Sequence, residues 1–273
     1  MQIEVIIEKK SHKLDAEEGK TILETLQEHG IHVLTAPCGG RGRCGKCTVE
    51  VEHMGEVLAC MTKVTDGMRI TIPEVQLRAQ KSKIAENGTV THYPADDGEG
   101  LDAACDIGTT TVVCHLIDGK TGEKLATVSE PSAQRSFGAD VLSRIQAAEA
   151  GKLEILKEQI IFQIAQMLRT LQKKTGRGEQ IQRLAVVGNT VMCHLFAGIS
   201  PVSIGVTPFM PQEFFGKEYT GEQLGLTDCR SVYIAPAVAG FVGGDITSDL
   251  LAVMQKKPKD KVLLLDIGTN GEM

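Results

Sequence analysis

Four cysteines in and just after one glycine-rich loop constrain this chain more than any other feature. Cys38, Cys44, Cys47 and Cys60 stand in APCGGRGRCGKC and VLAC with the spacing C-x5-C-x2-C-x12-C. Three thiolates from one loop and a fourth from a following hairpin can surround a two-iron cluster, for which C-x4-C-x2-C…C is a known spacing. Gly39, Gly40, Gly42 and Gly45 let such a loop wrap tightly and turn backbone N–H groups toward sulfur. Zinc is the first rival, but structural zinc sites usually pair two C-x2-4-C knuckles, and Cys60 has no such neighbour. A disulfide framework is the second. It is disfavoured because no signal peptide precedes the loop and four more cysteines are scattered singly.

The 273 residues suggest two domains or one large one, and 42% hydrophobic residues suffice for ordinary cores. No apolar run is long enough to cross a membrane, and the N-terminus lacks a basic stretch followed by an apolar one. Eight cysteines in such a chain fit a reducing cytoplasm. A formal charge of −6 argues against a general nucleic-acid footprint. Arg41, Arg43 and Lys46 lie inside the cysteine loop. Their plainest role is to offset the negative charge of a thiolate-bound cluster, with docking of an acidic electron-transfer partner as the weaker alternative.

Around that loop, IEVII (3–7) reads as a strand, and Thr21 is placed to cap a short helix carrying Ile22, Leu23 and Leu26 and ending at Gly30. CTVEV (47–51) and EVLAC (56–60) read as a hairpin, and MRITI (68–72) as a last strand before Pro73. Strands around one helix, with a metal loop after the helix, give a β-grasp [2Fe–2S] ferredoxin domain over residues 1–74. Residues 75–100 lose periodicity and read as a linker, with His92 and Tyr93 in it.

From residue 101 the character changes. LDAACDIGTTTVVCHLID reads as strand, turn and strand, and KVLLLDIGTNGEM repeats the apolar run followed by Asp-Ile-Gly-Thr about 160 residues later. A short glycine-bearing turn lets backbone amides and threonine hydroxyls approach phosphate oxygens, and an aspartate at a strand end can orient Mg²⁺ or its water. LAVVGNT ends in Asn189, a phosphate contact or a helix cap. Asp245, after Gly243 and Gly244, reads equally as a water- or Mg²⁺-binding carboxylate or as an N-cap, and Asp140 reads as a cap. LEILKEQIIFQIAQMLRTLQKK (153–174) is a scaffold helix, with Phe162 and Met167 expected in the core. Cys105, Cys114, Cys193 and Cys229 suit buried free thiols, and His115 and His194 packed side chains.

DIGTTT…DIGTNGE resembles the paired phosphate motifs of the ASKHA superfamily (actin, sugar kinases, heat-shock chaperones), a ribonuclease H-like fold. Together with the cysteine loop and the runs SFGADVLSRI, AVVGNTVMCHLFAG, VTPFMPQEF and IAPAVAGFVGGDITSDLLA, the chain resembles the RACE proteins, ATP-dependent reductive activators of corrinoid enzymes. The resemblance covers the chain apart from the linker. The implied class is α+β and α/β: a β-grasp ferredoxin domain, then an incomplete ASKHA domain over 101–273, the first lobe and the start of the second. The chain stops inside the second motif, so a fragment of a longer protein is expected, with the strand 262–265 left as an unpaired apolar edge. The short linker implies that an extra domain found in longer members is absent.

What the resemblance implies is uphill electron transfer: Cys38, Cys44, Cys47 and Cys60 hold a [2Fe–2S] cluster that passes one electron to a Co(II) corrinoid, giving Co(I), with ATP hydrolysis making the reduction accessible. Asp106, Gly108, Thr109 and Thr110 would form the first phosphate turn, with Asn189 beside it. Asp266, Gly268 and Thr269 would form the second, and Asp245 would serve water or Mg²⁺. The implied partners are a corrinoid protein or corrinoid-dependent methyltransferase and an upstream electron donor, without nucleic acid or membrane, with homodimerisation open. ATP turnover is expected of the full-length form and not of these residues alone. The alternative is a [2Fe–2S] electron carrier or redox-sensing module whose ASKHA half binds nucleotide or a partner without turnover. An activator of a different low-potential enzyme and an ordinary kinase rank behind both.

Overall fold

The computed structural model describes residues 1–31, 33–34, 36, 38–73, 98–257, 260–267 and 271–272. They divide into two compact units, one gathering the described residues of 1–83 with 133–147, the other those of 84–132 with 148–273.

In the first unit, β1 (Gln2–Ile7), β2 (Lys10–Asp15), β3 (Thr48–Val51), β4 (Gly55–Leu58) and β5 (Arg69–Thr71) form a mixed sheet in the order β2-β1-β5-β3-β4. Only β1 and β5 run parallel. Helix α1 (Ile22–Glu28) lies between β2 and the loop, and a capping box starts it. Glu24 N–H donates to Thr21 Oγ1 at 3.2 Å, while Thr21 N–H donates to Glu24 Oε2 at 2.9 Å. Ile22, Leu23 and Leu26 turn inward onto Ile3, Val5, Val49 and Ile70, all buried. Strand β2 is an addition to the sequence reading. KSHKLD buries only Leu14, and it is held by its ladder to β1 rather than by an apolar face. Residues 133–147 hold a 3₁₀ turn (Ala133–Ser136) and α2 (Val141–Ala147). They join this unit through the buried Gln27, whose Nε2–H donates to Ser136 O at 2.9 Å. Asp140 caps α2, accepting from Ser143 N–H at 2.7 Å.

The second unit is built on a six-stranded sheet of β6 (Leu101–Ile107), β7 (Thr111–Asp118), β8 (Lys124–Pro131), β9 (Ile181–Val187), β10 (Lys217–Thr220) and β11 (Cys229–Ile234), in the order β10-β11-β9-β6-β7-β8. An antiparallel meander β6–β7–β8 is extended by β9 and β11, both parallel to β6. This is the strand plan expected of a ribonuclease H-like lobe. The helices are α3 (Leu153–Thr175), α4 (Thr190–Ala197), the single turn α5 (Gly221–Leu224) and α6 (Gly244–Gln255). Helix α3 packs over β7 and β8 and against α4. It ends in Lys173 and Lys174 with Gly176 as a left-handed cap, as its charges and glycine dictate.

Two expectations need correction here. Met167 is buried with Leu156, Ile160, Ile164 and Leu171, but Phe162 is 62% exposed. Two residues past Ile160, it points about 200° round the helix, away from the buried stripe. The run 262–265 is not a strand: pairing is confined to β12 (Asp266–Ile267) and β13 (Gly271–Glu272), and Val262, Leu263 and Leu265 are exposed. An extended segment becomes a strand only against a neighbour, and among the described residues it has none. No helix among them is long and apolar enough to cross a membrane.

The first unit has a small core, so it is sensitive to single deletions. Ile70, fully buried on the strand between β1 and β3, makes the test. Ile70→Ala is expected to cost about 2–5 kcal/mol, read as an earlier denaturant midpoint for loss of the visible cluster absorbance.

Candidate functional site

The cysteine loop is positioned from three sides. Its first residues turn back where Gly39 N–H donates to Ala36 O at 2.8 Å. Its end runs into β3, where Ala59 N–H donates to Cys47 O at 2.9 Å. The turn carrying Cys60 is held by α1, whose first N–H groups would otherwise lack partners: Ile22 donates to Thr62 O at 2.9 Å and Leu23 to Ala59 O at 3.0 Å. Gly42 has φ +69, and a side chain there would meet Met61 Cγ and Sδ at 2.9 Å.

This scaffold brings the four predicted cysteines together as free thiols in two pairs. Cys44 Sγ lies 3.3 Å from Cys38 Sγ, and Cys47 interacts directly with Cys60. Among the described residues, no three cysteine, histidine or acidic side chains close around a single ion. Two pairs fit two irons with two thiolates each better than one tetrahedral zinc, around which four sulfurs would be equivalent. Partial burial disfavours the Cys38 thiolate, but backbone N–H groups of Arg43, Cys44 and Arg41 and the Cys44 thiol outweigh it, lowering its pKa to about 6. Burial and the neighbouring Cys47 push Cys60 up to about 11, opposed by Gly42 N–H. The loop thus favours the thiolate at Cys38 in one pair and disfavours it at Cys60 in the other.

The second site gathers at the end of β6. Asp106 closes that strand, and Gly108 turns the chain so tightly that a Cβ would lie 2.5 Å from Thr111 O. Thr109 is buried under this turn and accepts from Asn189 Nδ2–H at 3.1 Å, while Thr110 is exposed. Asn189 is the N-cap of α4 as well, accepting from Met192 N–H at 3.0 Å. The cap reading from sequence holds, and the same side chain ties α4 to the 106–111 turn. Gly243 abuts the same place, its missing Cβ leaving room for Thr190 N and for Gly188 O, 2.5 Å from where it would stand. Asp245 N–H donates to Gly188 O at 3.3 Å. The starts of α4 and α6 thus meet the 106–111 turn, an arrangement of backbone N–H groups and helix dipoles suited to anions.

Asp245 is not an N-cap: Gly243 holds that position, and the carboxylate sits in the first turn of α6, accepting from Ile246 N–H at 2.9 Å. Gly268 and Thr269 lie outside the described residues, as do His92 and Tyr93. Asp266 belongs to β12, and its charge raises the pKa of Asp106, Asp245 and Asp249. Asp249 was not singled out by the sequence reading. The available signal was its position four residues after Asp245, on the same side of α6. Asp106 reaches water, yet the protein around its carboxylate penalises charge. With Asp245, Asp266 and Asp249 adding repulsion, its pKa rises to about 7.

Cys105, Cys114, Cys193 and Cys229 are buried free thiols, and His115 and His194 are packed side chains. Cys105 and Cys114 face each other across β6 and β7, buried, with Sγ atoms 2.8 Å apart. Burial pushes Cys105 far up, Cys193 upward and Cys229 to about 12. His194 donates from Nδ1 to Thr190 O at 2.7 Å and accepts at Nε2 from Glu213 N–H at 3.3 Å, so it is neutral and fully engaged. His115 Nδ1 lies 2.8 Å from Thr127 Oγ1.

Comparison with known proteins decides the lineage of this arrangement. The family described as the RACo middle region matches residues 101–257, more than half of the chain. The chain belongs to that family. Residues 4–74 match the 2Fe–2S iron–sulfur cluster binding domain, so the first unit carries a [2Fe–2S] ferredoxin domain, in line with the RACE resemblance. The chain is 28% identical, over 88% of its length, to the corrinoid activation enzyme RamQ of Eubacterium limosum. It is 27% identical, over 62% of its length, to the [Co(II) methylated amine-specific corrinoid protein] reductase of Methanosarcina barkeri. It spans 54% and 33% of those two proteins. A solved reductive activator for corrinoid, iron–sulfur protein shares the fold with a TM-score of 0.60 and 24% identity, covering 98% of this chain and 60% of that one.

Two outcomes test this geometry. Gly42→Ala, which forces a side chain into the left-handed region and against Met61, is expected to cut iron bound per chain by more than half. Adding Met61→Ala should restore part of it, with metal analysis and visible absorbance as readouts. Asp106 carries the second. Its carboxyl holds its proton more tightly when folded, so stability falls as pH rises from the unfolded value of about 3.9 through the folded value of about 7. Asp106→Asn should therefore raise the denaturant midpoint relative to wild type at alkaline pH, the gap narrowing as pH is lowered.

Proposed function

We propose that the chain carries the iron–sulfur half and the first phosphate-binding turn of an ATP-dependent reductive activator of corrinoid proteins. One electron passes to the Co(II) corrinoid of a partner protein or corrinoid-dependent methyltransferase, giving Co(I). The observation that carries this reading is the presence, in one chain, of a paired-cysteine loop and a tight glycine-bearing turn at 106–111 tied to a helix start. The two relatives, a corrinoid activation enzyme and a reductase of a Co(II) corrinoid protein, supply the substrate class.

When bound, the [2Fe–2S] cluster supplies a one-electron carrier at low potential. Cys38, Cys44, Cys47 and Cys60 hold it, and the amides of Arg41, Arg43 and Gly42 are placed to donate to the sulfurs. Such donors stabilise negative charge and set how readily an electron is released. Asp106, Gly108, Thr109 and Thr110 receive ATP phosphates, Asn189 fixes the Thr109 hydroxyl, and Asp245 and Asp266 face the accompanying Mg²⁺ or its water. Gly268 and Thr269 complete the second turn in this proposal. Burial and neighbouring negative charge raise the pKa of Asp106, Asp245 and Asp249, and a nearby divalent ion brought in with the nucleotide would ease that repulsion. Co(I) lies at very low potential, so nucleotide binding and hydrolysis serve to shift the partner toward a state that accepts the electron.

The experiment follows cobalt. Full-length protein with its cluster loaded is mixed with reductant and a Co(II) corrinoid protein, and Co(I) absorbance is recorded with and without ATP. Co(I) should form only with ATP, and Cys60→Ser and Asp106→Ala should each lower its rate at least tenfold. Formation of Co(I) at the same rate without ATP would remove the activation reading and favour an electron carrier whose second unit binds nucleotide without turnover.

A further inference from the structure

We propose that the outer face of the cysteine loop is the docking surface for the protein that reduces the cluster, a small acidic electron carrier of the four-iron ferredoxin class. This rests on the electron-transfer part of the reading above. Arg41, Arg43 and Lys46 are all exposed, and Met61, 61% exposed, packs on Gly42 in their midst. No acidic residue occurs between Glu28 and Glu50, so these three cations stand in an acid-free stretch of a chain whose net charge is −6. Among the described residues none of the three makes an ion pair. Arg41 contacts only the neutral amide of Gln146, and Arg43 and Lys46 are left to solvent.

Offsetting the charge of a cluster and meeting an acidic partner are compatible roles for them. The contacts that act on Cys38 and Cys60 are backbone amides of Arg41, Arg43, Cys44 and Gly42 and the neighbouring thiols of Cys44 and Cys47, with no guanidinium or ammonium head among them. Those heads point outward, where they act on whatever approaches. A rim of exposed cations around one apolar side chain is the surface of a brief, electrostatically steered encounter, of the kind that buries less than about 1,200 Å². A partner that must remain bound through a nucleotide cycle needs a larger and more apolar contact, so the patch suits the donor and not the corrinoid protein. In the reaction one electron leaves the reduced four-iron centre of the carrier, which is oxidised by one unit, and reduces the oxidised two-iron cluster by one. No bond forms and no proton moves.

The test uses the full chain with its cluster loaded, without nucleotide or corrinoid. Reduced acidic four-iron ferredoxin is mixed with it anaerobically in a stopped-flow instrument, and bleaching of the two-iron absorbance gives a second-order rate constant at low and high salt. Wild type should slow by about tenfold or more between roughly 20 and 200 mM salt, as screening removes the steering. Arg43→Glu with Lys46→Glu should slow the low-salt reaction by about tenfold and flatten its salt dependence. Binding of the two oxidised proteins, read by calorimetry, should weaken in parallel. A wild-type rate that does not fall with salt overturns the proposal whether or not the double variant loads its cluster. A loaded variant that reacts and binds like wild type overturns it too. Because no cobalt is present, salt-dependent docking without ATP-dependent Co(I) would leave this surface standing and remove the activation reading. The converse result would do the opposite.

Discussion

Holding four thiols close together is the demand on which the first unit's structure depends. Ionised sulfurs repel one another, and burial of Cys47 and Cys60 removes the water that would screen them. The fold answers with backbone rather than side chains. Left-handed glycines at 39, 40, 42 and 45 turn amides inward, and α1 offers its unpaired first N–H groups to the turn that carries Cys60. The capping box at Thr21 does more than start a short helix. It fixes where those N–H groups point, and so where the fourth cysteine stands relative to the other three.

The second unit meets a related demand with the opposite chemistry around it. Backbone segments at 107–111, 188–190 and 243–245 pack closely: a side chain at Gly243 would strike Gly188 and Thr190, one at Gly188 would crowd Ile107 O, and Gly108 is closed off by Thr111 O of its own turn. Tight backbone packing brings amides and helix starts together there, beside the Thr109 hydroxyl, which favours an anion. The carboxylates of Asp106, Asp245, Asp249 and Asp266 lie alongside, which favours a cation.

Much of this was legible in the sequence because it is written in local rules. The cysteine spacing, the cap at Thr21, the glycine after α3 and the DIGT turn each depend on a few neighbouring residues. The losses occurred where a distant partner decides. Strand β2 is polar and exists because β1 pairs with it, and the same holds for β8 and β10, whose sequences alternate weakly. The apolar run 262–265 shows the converse, a strong pattern that forms no strand without a neighbour. Phe162 was misplaced because apolar character was read without the phase of the helix, and Asp249 was overlooked because its relevance arises from Asp106 and Asp266, far away in sequence. Residues 133–147 group with the first unit through contacts such as that of Gln27 with Ser136, which no local pattern announces.

The acidic cluster also explains a feature that stability alone would not select. A carboxylate with its pKa raised to about 7 destabilises the folded state at neutral pH, and an asparagine of the same shape would not. The influences on Asp106 are the surrounding protein and three other carboxylates, and the buried Cys105 and Cys193 nearby are neutral thiols that offer no compensating charge. Strain of this sort persists where the surrounding fold over-determines it and where a ligand relieves it. In the cysteine loop, burial and the neighbouring Cys47 likewise hold the Cys60 thiol against ionisation. In both units the protein disfavours an ionised side chain, at Cys60 in one and at Asp106 in the other. That is why the two sites are readable from electrostatics even though one is built of sulfur and the other of oxygen.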